Sequence, residues 1–302
     1  MNINLNINKL LYLYLMITCN LVGGLGNQLF QIFTTLSYAI RSNEKIAFLN
    51  SESVGTGITK VRNTYWNSLL YKLKPFLTND FSKFVIIREK EFIFNDIITE
   101  IYNNKNTNTN TCLYGYFQSY KYFQKNFEII YRLLDIKNQK ENVLKIESNS
   151  ILDLKNTISM HFRLGDYKLF PKIYPIMSYE YYKKSFLYIE NQNQNTCNLN
   201  VLFFCEDEDL EDVNIIIERL QLEFPKNIFS RAPNTLKDWE QMLLMSCCNY
   251  NIIANSSFSW WGAYLNTTPN KIVCYPEDWF VNDTDTSDLC PLEWIKIQNL
   301  DN

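Results

Sequence analysis

The chain has 302 residues, 46% of them hydrophobic and 20% charged, with a net charge of -3. That composition excludes disorder and, at about 150 residues per domain, points to two domains. The lack of a basic excess argues against nucleic acid as a main ligand, and a single histidine, His161, excludes HExxH sites and multi-histidine metal centres.

The apolar stretch 10–17 is shorter than the roughly 20 residues of a bilayer span, and Lys9 alone makes a poor signal-peptide start. The expected location is the cytoplasm, with no transmembrane segment and with peripheral membrane contact left open. The eight cysteines contain no CxxC pair, so reduced thiols are expected. A strand over 16–22, a glycine turn, a helix over 27–41 and a strand over 46–49 form a β-loop-α-β start. Along that helix Leu29, Phe30, Phe33, Leu36 and Ile40 recur at three- and four-residue steps, the stripe of a helix packed on a sheet. A loop with Gly55 and Gly57 and a mixed region follow. The Asn/Thr tract 103–111 reads as a solvated loop, before a strand over 112–115 and a helix over 120–134. The polar stretch 137–150 is the best domain boundary.

The second half alternates strand and helix. Strands over 157–162, 201–205, 228–230, 251–254 and 271–275 are separated by helices over 179–190, 209–224, 236–247 and 258–265. Ser178 is placed as an N-cap, and the polar run 191–198 separates the first helix from the next strand. This pattern predicts parallel sheets with helices on both faces, and two such halves make a cleft whose chemistry lies at the carboxyl ends of strands.

Four post-strand loops stand out. Gly23-Gly24-Leu25-Gly26-Asn27-Gln28 holds three of only eight glycines and leads into a helix N-terminus that suits an anion, although a plain tight turn has the same look. It matches neither GxGxxG nor a Walker A loop. In His161-Phe162-Arg163-Leu164-Gly165-Asp166-Tyr167, Arg163 leaves a strand end as a forked, permanent cation suited to phosphate; a structural Arg163–Asp166 pair is the alternative. Glu206-Asp207-Glu208-Asp209 fits a metal site, a base-reading site or a helix start. Asn255-Ser256-Ser257-Phe258-Ser259-Trp260-Trp261-Gly262 offers hydroxyls and amides to phosphate, or a capped helix with core tryptophans. Together, one cationic and two amide-rich loops converge on a diphosphate. An acidic loop lies near enough to read a base, with little reliance on metal.

In this order the loops resemble the α-1,2-fucosyltransferase family, inverting enzymes that transfer fucose from GDP-fucose to galactose. The resemblance rests on the glycine loop through Gln31, on Gly115-Tyr116-Phe117-Gln118-Ser119-Tyr120-Lys121-Tyr122-Phe123, on the His161–Tyr167 loop, on residues 251–265 and on Pro276-Glu277-Asp278-Trp279-Phe280. It implies an α/β fold of the GT-B type, two Rossmann-like domains facing a cleft, with 1–150 on the acceptor side and 151–302 holding the donor. By position, Arg163 would bind the β-phosphate, with Asp166 as base or as orienter of Arg163. His161, Glu206 and Asp207 would lie toward guanine and ribose. Asn255, Ser256, Ser257 and Phe258 would line the donor. Gly24, Gly26, Asn27 and Gln28 would face it from across the cleft.

The resemblance implies transfer of L-fucose to the 2-hydroxyl of a terminal β-galactoside with inversion, with GDP-fucose as donor substrate and neither cofactor nor metal. Leu164 replaces the second arginine of the family's HxRRxD pattern, Glu206-Asp207 replaces Asp-Asp, and Gln241 replaces an acid. These departures keep alive a same-fold transferase with another GDP-sugar or acceptor, or a non-catalytic nucleotide- or sugar-binding relative. Loops 51–63 and 103–111 are expected to set the acceptor.

Overall fold

The computed structural model describes residues 15–55, 61–80, 83–146, 154–193 and 198–299. In the first half β1 (Met16–Cys19), α1 (Leu25–Ser42), β2 (Lys45–Ile46), β3 (Phe48–Leu49), β4 (Ser53–Val54), β5 (Arg62–Asn63), β6 (Leu77–Thr78), β7 (Phe84–Arg88), α2 (Ile98–Asn106), β8 (Asn110–Tyr114), α3 (Phe127–Leu133) and α4 (Ile136–Ile146) follow in order. The second half contains β9 (Thr157–His161), α5 (Tyr179–Gln192), β10 (Asn200–Phe204), α6 (Leu210–Glu223), β11 (Ile228–Arg231), α7 (Asp238–Met245), β12 (Tyr250–Ile252), α8 (Ser257–Tyr264), β13 (Val273–Pro276) and β14 (Ile295–Ile297).

Two parallel sheets carry the architecture, a four-stranded one in the order β2-β1-β8-β7 and a six-stranded one in the order β11-β10-β9-β12-β13-β14. Counted within its own half, the second reads 3-2-1-4-5-6, the order of a dinucleotide-binding fold. Its crevice opens where the strand order reverses, here between β9 and β12. All five residues of β9 are buried, as expected of a strand covered on both faces. The fold is therefore α/β, two Rossmann-like units facing a cleft. Among the described residues no helix is long and apolar enough to cross a membrane.

The two halves share one core. On α1, Phe30 and Phe33 meet Trp260 and Trp261 of α8, each at a ring-centroid distance of 4.4 Å, and Phe123 stacks on Trp261 at 5.3 Å. A second core, including Phe162, Leu164, Tyr182 and Phe186, belongs to the six-stranded sheet. The left-handed Asn43 (φ 54) ends α1 and returns its N–H to the Ala39 carbonyl, a common way to satisfy a last helical turn.

Several expectations need correction. The tract 103–111 is mostly regular structure: α2 runs to Asn106 and β8 starts at Asn110. The polar stretch from 137 is helix α4 as far as Ile146, with Ile136 and Val143 buried; it reads as a linker because its buried positions are few among charges. Residues 120–134 begin as two 3-10 turns before α3. Ile40 is 40% exposed and lies off the packed stripe. Strands β7 and β14 carry little sequence signal, since an exposed edge strand and a three-residue strand give weak alternation. Seven cysteines are unbridged, Cys19, Cys112, Cys205, Cys247, Cys248, Cys274 and Cys290. Cys197, Gly57 and residues 147–150 lie outside the described residues.

Candidate active site

The cleft between the sheets has a volume of about 1200 Å³, above the roughly 300–1,000 Å³ of a site for one small ligand. It is lined by the carboxyl-end loops of both sheets.

The three clustered glycines each meet a different demand. Gly23 has φ +82, a left-handed conformation that a side chain resists. At Gly24 a Cβ would meet nothing within 4 Å, so the bare backbone leaves open space at the N-terminus of α1. At Gly26 a Cβ would come within 2.4 Å of the Ser257 carbonyl carbon. The amino ends of α1 and α8, one from each half, thus press together at this point. Asn27 lines the cleft and its Oδ1 accepts from Gln118 Nε2 at 2.9 Å. Gln28 differs from the expectation: it is fully buried, and its Nε2 donates to the carbonyls of Gly23 (3.0 Å) and Asn63 (2.9 Å). It braces the loop from behind.

Across the cleft, β9 ends in His161, and Arg163 follows two residues later. The Arg163 guanidinium donates to Asp166 and to Glu206, and it lies 5.1 Å from the Tyr167 ring centroid. Burial works against its charge, but Glu206 and Asp166 beside it hold its pKa above the ordinary guanidinium value. Asp166 also reaches Arg62 of the opposite half, at 3.6 Å. His161 is buried, its Nδ1 has no partner, and its ring lies 5.6 Å from that of Phe258. Burial first and Arg163 second push its pKa down to about 3, so it is neutral near pH 7. Leu164 is 7% exposed within the second core, turned from the cleft.

The acidic loop is spoken for by cations. Glu206 pairs with Arg163 and Asp207 with Arg231, while Asp209 accepts from the Gly165 N–H (2.6 Å) and Lys168 Nζ (2.9 Å). Among the described residues no group of three or more His, Cys, Asp or Glu is placed to hold a metal ion. Ser256 caps α8, its side chain accepting from the Phe258 N–H at 3.3 Å. Ser256, Ser257 and Phe258 line the cleft. Asn255 sits apart from them: it is fully buried, and its Nδ2 donates to the carbonyls of Pro175 (3.0 Å) and Trp279 (3.1 Å). It clamps two loops where a ligand contact was expected.

Sequence reasoning passed over Arg62, Tyr65 and Arg231, which line the cleft together with Asp238. The Tyr65 hydroxyl donates to Asp238 across it. Arg231 ends β11, and the strand-end rule would have found it with that strand extended by one residue. Arg62 lies in the β4–β5 hairpin and has no sequence signal. Gln241 also lines the cleft, its Nε2 bonded to the Leu236 carbonyl at 3.1 Å.

Comparison with known proteins gives a family match to glycosyl transferase family 11 over residues 2–298. The chain is 31% identical over 243 residues to the O-antigen biosynthesis glycosyltransferase WbnK of Escherichia coli, covering 75% of this chain and 74% of that protein. It is 26% identical over 304 residues to an alpha-1,2-colitosyltransferase of Escherichia coli, covering 93% and 99%. Among solved structures, a mutant of Arabidopsis thaliana FUT1 in complex with GDP shares 11% identity over 89% of this chain and 72% of that one, with a TM-score of 0.49. The ADP-heptose lps heptosyltransferase II of Escherichia coli shares 10% over 94% and 90%, also at 0.49.

Proposed function

The chain belongs to glycosyl transferase family 11, and on that premise we propose that it transfers L-fucose from GDP-fucose to the 2-hydroxyl of a terminal β-galactoside with inversion. One observation carries the reading: Arg163 lines the same cleft as the abutting N-termini of α1 and α8, with open space over Gly24. Helix amides and a guanidinium are what a departing diphosphate needs, because its negative charge grows as the glycosidic bond breaks. The galactoside O2 attacks the anomeric carbon, the bond to the β-phosphate oxygen breaks, and GDP leaves with the electron pair. The hydroxyl proton passes to a base or to water. Asp166, engaged by two arginines, fits the orienting role for Arg163 better than that of the base.

Donor binding would exchange one of the carboxylates on Arg163 for phosphate, and the half-exposed Glu206 is the freer of the two. Leu164 is turned into the core and is not part of the cleft lining. Gln241, which does face the cleft, supports a second reading with another GDP-sugar, and so does the likeness to an alpha-1,2-colitosyltransferase. Mass spectrometry of a β-galactoside panel incubated with GDP-fucose or GDP-colitose, each with and without EDTA, tests both readings and the metal requirement. The expected result is a deoxyhexose mass gain that an α-1,2-fucosidase removes. A gain with GDP-colitose and none with GDP-fucose favours the second reading; a gain that EDTA abolishes overturns metal independence.

A further inference from the structure

The cleft is polarised in the same sense by both sheets. On the β9–β11 side of the six-stranded sheet lie Arg163, Glu206 and Arg231, and the β2–β5 region of the other half adds Arg62 and Tyr65. On the other side the character changes. Past β7 and β8 the first half presents Phe92 and Tyr116; past β13 the second presents Phe280, and the loop after β9 folds over to add Phe170 and Tyr174.

These rings touch across the halves. Phe92 meets Phe280 edge-on at 5.2 Å, Phe280 lies 5.8 Å from Tyr174, and Tyr174 stacks on Tyr167 at 4.2 Å. Phe170 and Tyr116 remain 50% and 44% exposed. The wall is also firmly held: Glu89 accepts the backbone N–H groups of Tyr116 (2.7 Å) and Phe117 (3.0 Å), and the Tyr167 hydroxyl donates to the Asn255 carbonyl at 2.9 Å.

We propose that this aromatic flank, with Tyr116 and Phe170 as its exposed platforms, is the subsite for the pyranose rings of the acceptor. The inference rests on the glycosyl-transfer reading above and locates the acceptor within it. A β-galactoside has one face of C–H groups carrying partial positive charge, and that face lies well on the negative face of an aromatic ring. The hydroxyls of Tyr116 and Tyr174, with Asn282 and Thr284 beside them in the lining, supply partners for sugar hydroxyls. A purely apolar groove for an acyl chain would lack them. The flank adjoins Asp166 and Arg163, so an acceptor lying on it brings a hydroxyl toward the reacting centre. The tract 103–111 cannot serve here, because it leads into the amino end of β8 while the cleft lies at the carboxyl end.

The test combines saturation-transfer NMR using methyl β-D-galactoside and N-acetyllactosamine, in the presence of GDP, with GDP titration calorimetry. It uses the full chain and the variants Tyr116→Ala, Tyr116→Phe and Phe170→Ala. Galactose ring signals should be lost in both alanine variants and kept in Tyr116→Phe, with GDP affinity within twofold of the parent in all three. In turnover, the alanine variants should raise acceptor KM at least tenfold and leave donor KM unchanged. Sugar signals that survive both alanine substitutions, or a parent protein that binds neither glycan, overturn the subsite. With dodecyl β-D-galactoside as a third probe, signals from its alkyl chain but none from its sugar would replace it with a lipid groove. A parent that binds galactosides on this wall and transfers no fucose would sink the fucosyl reading and leave the wall standing.

Discussion

Arg163 holds two carboxylates in the cleft, and under the proposed function the donor phosphate displaces one of them. Arg163→Ala should lower kcat by about 10²–10³, the usual loss when one donor to a developing anion is removed. Asp166 and Glu206 are both solvent-accessible, so the variant should keep its melting temperature within a few degrees. Retained wild-type turnover would break the phosphate assignment. His161 makes a separate prediction. Its folded pKa is near 3, against about 6.5 for a free imidazole, so below pH 6.5 the unfolded chain takes up a proton that the folded chain refuses. Stability should therefore fall with pH across that window and lose nothing from this residue above it. Between pH 7 and pH 4.5 the parent should lose up to about 2 kcal/mol more than His161→Asn. Urea titrations at the two pH values check this, and equal losses would refute it.

At the scale of elements, the abutting amino ends of α1 and α8 separate two substitutions that look alike in the sequence. Gly26→Ala drives a methyl into the Ser257 backbone and should cost about 1–3 kcal/mol, measurable by denaturant unfolding. Gly24→Ala meets no atom within 4 Å and should leave stability unchanged while weakening GDP binding in calorimetry. A stable Gly26→Ala protein, or a Gly24→Ala protein with full GDP affinity, would contradict this division. The same elements show how far the sequence could be read. The strand-loop-helix alternation of residues 157–275 was legible because long buried strands and capped helices carry strong local patterns. The clustering of Gly23, Gly24 and Gly26 likewise marked a backbone site. The roles of Gln28 and Asn255 were not legible: an amide that binds a ligand and one that braces a loop have the same sequence signature. Only the carbonyls of Gly23, Asn63, Pro175 and Trp279 tell them apart. Arg62 and Asp238 reach the cleft through long-range placement, which no local pattern encodes.

For the molecule as a whole, the shared core of Phe30, Phe33, Phe123, Trp260 and Trp261 binds the two sheets into one cooperative unit. Calorimetry and near-ultraviolet circular dichroism should report a single unfolding transition, and Trp261→Ala should lower stability by about 3–5 kcal/mol without splitting it. Two resolved transitions in the parent would show that the halves fold independently. Helix α4 adds to this union from the other side of the chain. Its Lys140 Nζ donates to the carbonyls of Ser246 (2.9 Å) and Leu265 (3.1 Å), closing the buried carboxyl ends of α7 and α8. For anyone building chimaeras between relatives of this enzyme, the crossover point follows from that lysine. A graft joined at residue 150 separates α7 and α8 from the side chain that finishes them. One joined ahead of Ile136 transplants the second half with its own fastening intact.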